Sequence, residues 1–121
     1  MANNDLAPTM AGWAGVDTPS VDGRSLVPLL SGEGVSWRDA LLAKNPGKEG
    51  VPGHATLVTR RHLYIEWETG DRELYVLQED PHETRSIHHT ADAALVGSLE
   101  DRLDALKACS GQACRDAEDA S

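Results

Sequence analysis

Phenylalanine is absent from this 121-residue sequence, and aromatic side chains of any kind make up 4% of it. A core must therefore be built from Leu, Val and Ile with three Trp and two Tyr, and a chain of one-domain size makes that core a thin one. Basic residues are also scarce: 11 Lys and Arg stand against 20 Asp and Glu, a net charge of −9. Such a surface repels a phosphate backbone and anionic lipid, so neither nucleic acid nor a membrane is an expected partner. No apolar run approaches the roughly eighteen residues of a membrane span. Met1 to Asp5 have neither the basic nor the apolar region of a signal peptide, so the chain reads as soluble and without an export signal of its own.

Cysteine is limited to Cys109 and Cys114, five apart with Gly111 between them. Two readings stay open: a small disulfide loop around a turn, or two free thiols in a frayed tail. The first points to an oxidising compartment, which the missing export signal contradicts unless that signal lay on a longer parent chain.

What is present reads as alternating turns and short elements. Asp5 to Ala14 is expected to form a short helix, capped by Asn4 or Asp5, with Leu6, Met10 and Trp13 on one face and Gly15 at its end. Ser25 to Leu30 offers one more helical turn that would bury Leu26, Leu29 and Leu30. Ala40 to Ala43, His54 to Thr59, Leu63 to Trp67 and Glu73 to Leu77 are strand-like, the third alternating Leu63, Ile65 and Trp67 against Tyr64 and Glu66. Asp80-Pro81-His82-Glu83 is a turn. Asp92 to Ala108 is the strongest helix, with Leu95, Leu99, Leu103 and Leu106 as its apolar stripe, and the polar residues from Arg115 to Ser121 read as a frayed end. The expected fold is α+β: a small antiparallel sheet of three or four strands, a long C-terminal helix on one face and a short N-terminal helix. As one domain over 1–121, it divides into connecting helix and turns (4–34), strands (38–78), helix (91–108) and a tail with the Cys pair (109–121).

No catalytic set or metal site emerges from the residues alone. His54, His62, His82, His88 and His89 contain no His-x₃-His pair, and the cysteines lack zinc-finger spacing. His88 and His89 are expected to point different ways in a solvated loop. Glu66 and Glu68 flank Trp67 and share a face, which suggests a carboxylate pair only superficially; solvated acids on an outer face are the simpler reading. Ser25 has no Gly-x-Ser-x-Gly elbow around it.

Several ordered segments together resemble the end of a sulfatase of the alkaline-phosphatase-like superfamily. They are Asn4-Asp5-Leu6-Ala7-Pro8-Thr9, Ala14-Gly15-Val16, Asp22-Gly23-Arg24-Ser25-Leu26 with Pro28-Leu29-Leu30, Thr59 to Ile65, Glu73 to Leu77 with Asp80-Pro81-His82-Glu83, and the closing helix with its Cys109 to Cys114 tail. The resemblance spans about residues 4 to 115 and implies a C-terminal subdomain, structural in role, packed against a catalytic domain. It also implies that the parent hydrolyses sulfate esters with a formylglycine and a calcium or magnesium ion. The formylglycine arises in a Cys/Ser-x-Pro-x-Arg motif. Cys109 is followed by Ser110-Gly111-Gln112 and Ser20 by Val21-Asp22-Gly23-Arg24, so neither fits, and no catalytic residue, metal ligand or cofactor carries over to this chain. The smaller domain of such enzymes often lines part of the substrate cleft, which makes His54, Arg60, Arg61 and His62 candidate contacts for a sulfated ligand. The alternative is a free-standing binding or oligomerisation module, its partner a second copy of itself.

Overall fold

The computed structural model describes residues 2–120; Met1 and Ser121, which end the leader and tail stretches considered above, lie outside the described residues. The chain folds as two compact units, residues 39–108 and residues 2–38 together with 109–120.

The unit spanning 39–108 is an antiparallel meander, β1 (Ala40–Asn45), β2 (His54–Thr59), β3 (His62–Trp67) and β4 (Arg72–Val76), in the spatial order β1-β2-β3-β4. Register follows from alternation, since a slip of one residue would turn every buried side chain outward. Leu42, Leu57, Tyr64 and Leu74 stand in one row across the four strands, and the last three are fully buried. Helix α3 (Ala93–Ala108) begins where Asp92 accepts the Ala94 N–H at 2.7 Å, and it buries Leu99, Leu103 and Leu106. It contacts β1 and β2, and an Arg72–Glu100 ion pair of 2.8 Å ties it to β4. Asp80 holds its turn by accepting the N–H groups of Thr84 and Arg85. The α+β architecture expected from the sequence is the one observed, with β1 reaching two residues further, into Lys44 and Asn45.

In the other unit a 3₁₀ turn (Asn3–Asp5) leads into α1 (Leu6–Ala14), which stops at Gly15 in the left-handed region, φ 66°. A short α2 (Val27–Leu30) follows, and α4 (Gln112–Asp119) closes the unit. Three expectations need correction here. The Asp5 carboxylate makes no cap bond to α1; it turns back to Ala2 N–H (2.8 Å) and across to Arg24 N–H (2.9 Å). Leu29 and Leu30 are exposed instead of buried, because a single helical turn directs too little surface inward.

The third correction concerns residues 115–119, which are helical instead of frayed. Cys114 and Glu118 on α4 are buried although the helix has no Leu stripe. Charge and backbone hydrogen bonds hold it. Arg115 Nη1 donates to Val21 O at 2.5 Å, Arg24 Nη2 donates to Arg115 O at 2.6 Å, and Gly111 N–H donates to Asp22 Oδ1 at 2.6 Å. Cys109 and Cys114 are joined by a disulfide, Cα to Cα 4.9 Å, which fastens the first turn of α4. Gly23 lies so close to the Asn4 carbonyl that a Cβ would overlap it, so only glycine fits there.

Candidate binding cleft and docking surface

At one end of the meander the register sets Asn45, His54 and Trp67 side by side on β1, β2 and β3. The His54 and Trp67 ring centroids are 4.6 Å apart at an interplanar angle of 54°. Trp67 Nε1–H donates to Glu73 Oε1 at 2.9 Å, which fixes the indole. A cleft of about 610 Å³ opens here, its lining including Asn45, His54 and Trp67 together with Lys44, Glu66, Glu68 and Lys107.

Glu66 is not a solvated outer acid. Its side chain is 17% exposed, takes the Lys107 ammonium at 2.6 Å and accepts the Tyr64 hydroxyl at 3.2 Å. Burial, with the adjacent Glu66 charge, pushes the Tyr64 phenol up to about 12. Lys107 also meets Asp104 at 2.8 Å; burial opposes its charge, but the two carboxylates outweigh that and raise its pKa. Glu68 Oε2 accepts the Gly53 N–H at 2.9 Å. Gly53 is buried, and a side chain there would meet the Glu68 carboxylate.

The four candidate substrate contacts do not assemble. His54 opens β2, while Arg60, Arg61 and His62 surround the turn after its other end, roughly 17 Å away for six extended residues. Arg60 is exposed and pairs with Asp39 at 3.3 Å. Burial, reinforced by the Arg61 charge, lowers the His62 pKa below its ordinary value. The His88 and His89 rings, expected to diverge, meet edge to face at 5.1 Å.

In the unit containing α1, Leu6, Met10 and Trp13 are 44%, 65% and 65% exposed. Of the eight large apolar residues that are exposed among the described residues, seven (these three with Val16, Leu29, Leu30 and Val35) lie in residues 2–38. The same unit holds a buried charge cluster. Asp5 is fully buried and takes the Arg38 guanidinium at 2.5 Å, and Glu118 of α4 lies 3.3 Å from both Arg38 and Arg24. Burial would raise the Asp5 carboxyl, but the Arg24 and Ala2 N–H groups and Arg38 outweigh it and hold the carboxyl low. For Glu118 burial wins over both arginines and its pKa is raised.

Residues 1–109 match the family model described as N-sulphoglucosamine sulphohydrolase, C-terminal. The chain belongs to this family of sulfatase C-terminal domains. It is similar to the N-acetylglucosamine-6-sulfatase of Homo sapiens, 31% identical over 95% of this chain and 27% of that enzyme. The N-acetylglucosamine-6-O-sulfatase of Bacteroides thetaiotaomicron is 33% identical over 76% of this chain and 18% of its own length. A protein solved with its substrate D-glucosamine-2-N,6-O-disulfate superposes with a TM-score of 0.75 at 28% identity, covering 95% of this chain and 24% of the other. The domain thus spans about a quarter of the length of the mammalian relatives.

Cys109 and Cys114 are bonded to each other, which leaves neither thiol for conversion to formylglycine. Among the described residues no three His, Cys, Asp or Glu side chains gather closely enough to hold a metal ion. No chemical step is therefore assigned to either group here.

Proposed function

We propose that this domain is the non-catalytic end of a sulfatase acting on a sulfated amino sugar, and that it packs against the catalytic domain through the surface of α1. The names of its relatives support the substrate class, since they act on glucosamine derivatives. The observation that carries the packing role is the α1 stripe. Leu6, Met10 and Trp13 repeat at helical spacing, as a core-facing face does, yet all three are exposed in the domain on its own. Covering the exposed part of each, 44–65% of the residue, would contribute roughly 1–2 kcal/mol, about half the value for full burial.

The test is a triple variant, Leu6→Ser, Met10→Ser and Trp13→Ser, of the 121-residue chain. Emission from an apolar-surface dye should drop sharply while the far-ultraviolet circular dichroism is unchanged. Sedimentation of the parent chain should show a monomer. A dimer that persists at nanomolar concentration and is lost in the triple variant would assign the stripe to a second copy instead. Turnover of a chromogenic sulfate ester by the purified chain would overturn the non-catalytic reading.

A further inference from the structure

We infer that the Cys109–Cys114 bond is a redox latch on α4: a dithiol reductant that cleaves it lets α4 open locally and uncovers the Arg24 guanidinium. Every part of this device lies in the unit formed by residues 2–38 and 109–120, and it does not depend on the packing role of α1.

Three observations carry it. The first is how little besides the disulfide holds the helix. Eight residues are well short of the roughly 12–15 at which an isolated helix becomes even marginal in water, so α4 depends on its surroundings. The residues it buries are Cys114 and Glu118; one belongs to the disulfide and the other is an acid. Hydrogen bonds and ion pairs supply the remaining contacts, and water can replace these once the helix moves.

The second is the position of the two sulfurs. Cys109 is half-buried and Cys114 is 7% exposed, so an attacking thiolate meets Cys109 Sγ first. The leaving sulfur, Cys114 Sγ, departs from the first turn of α4, where the positive end of the helix favours a thiolate. The second thiol of the reductant then displaces Cys109 Sγ and closes the reductant into its own disulfide. Two electrons pass to the cysteine pair, its sulfurs take up the two protons that the reductant gives up, and one S–S bond forms for the one that breaks.

The third is what the helix covers. The Arg24 side chain is 14% exposed, and the partners of its guanidinium among the described residues all belong to α4: Arg115 O at 2.6 Å, Asp119 at 2.9 Å and Glu118 at 3.3 Å. Arg38, by contrast, keeps Asp5 when Glu118 moves away. The closed helix therefore masks one cation in particular, and opening presents it to an anion on a chain dominated by acids.

Native-state hydrogen exchange of the 121-residue chain, oxidised and in dithiothreitol, over a range of low urea concentrations tests the latch. The amides of Asp116 to Ala120 should exchange through an opening that urea barely accelerates, and reduction should speed it roughly thirtyfold, the loop-entropy value for so short a loop. The amides of β2 and β3 should remain the slower set in both states, with a strong urea dependence. Modification of Arg24 by phenylglyoxal, read by peptide mass, should quicken in parallel, while that of the exposed Arg60 stays constant. The double variant Cys109→Ser with Cys114→Ser should match the reduced chain with no reductant present. A change below threefold at Asp116 to Ala120 on reduction overturns the inference, as does a urea dependence equal to that of β2 and β3, since the bond is then a static staple. Unaltered reactivity of Arg24 overturns it as well. Dye binding to α1 is untouched by any of these outcomes, so the two readings fail separately.

Discussion

Replacing Arg38 by Met should destabilise the domain by about 3 kcal/mol, the lower end of the roughly 3–5 kcal/mol that follows when one partner of a buried ion pair is removed. Methionine preserves most of the apolar stem and deletes the guanidinium, so packing loss contributes little. The lower end applies because neither acid is left bare. Asp5 keeps the N–H groups of Ala2 and Arg24, and Glu118 keeps Arg24 at 3.3 Å. Asp5 is nonetheless fully buried and Arg38 and Glu118 are 8% and 4% exposed, so water cannot replace the lost cation. For a chain of this size, 3 kcal/mol corresponds to a fall in Tm of roughly 10–15 °C. Urea and thermal unfolding of wild type and Arg38→Met measure it directly. A double-mutant cycle with Asp5→Asn isolates the pair: Asp5→Asn should cost at least about 1.5 kcal/mol less in the Arg38→Met background than in wild type. A change below about 0.5 kcal/mol for Arg38→Met, or strict additivity in the cycle, would refute the view that this ion pair fixes the unit.

Four further outcomes follow from the structure. The Asp5 carboxyl is depressed in the fold, so its contribution is present above its ordinary value of 3.8 and is lost as pH falls through the depressed value. Glu118 has the opposite sign: its raised pKa gives a contribution present below 4.5 and lost as pH rises through the raised value, so Glu118→Gln should flatten the decline in stability above pH 4.5 measured by urea unfolding. Reducing the Cys109–Cys114 bond, which closes a loop of six residues, should cost about 2 kcal/mol by chain entropy, read as a lower urea midpoint in dithiothreitol at unchanged slope. Arg60→Ala with Arg61→Ala should leave the chain's affinity for a sulfated glucosamine unchanged, because Arg60 is exposed and already paired with Asp39; a tenfold loss would assign an anion contact to this turn.

Sequence periodicity revealed those parts of the fold whose cause is local. Period-two alternation located β3 and β4 to within a residue, and the four-four-three spacing of Leu95, Leu99, Leu103 and Leu106 located α3, because in both cases the buried face is written in neighbouring residues. Helix α4 escaped because Gln112 to Asp119 has almost no apolar stripe to read. Its partners, Arg24, Val21 and Arg38, are some 80 to 95 positions away, so no local window contains the reason for its order. The cleft escaped for a related reason. Asn45, His54 and Trp67 are separated by nine and thirteen positions and become neighbours only through strand register, which no spacing motif encodes.

The same distinction explains why Glu66, unlike the exposed Glu68, was misread. Glu66 lies on the strand face that alternation assigns to Tyr64, and that face is the one α3 covers; an acid there requires a cation, which Lys107 supplies from 41 residues away. Alternation thus carried the correct face but not the partner that makes a buried carboxylate tolerable. The α1 stripe is the converse case. Its helical spacing was legible, and burial was the natural inference, yet Leu6, Met10 and Trp13 are exposed in the domain by itself. A pattern that demands cover and a fold that provides none are reconciled when the cover belongs to the remaining three-quarters of a protein of the relatives' length, which is why the stripe rather than the sheet carries the packing proposal.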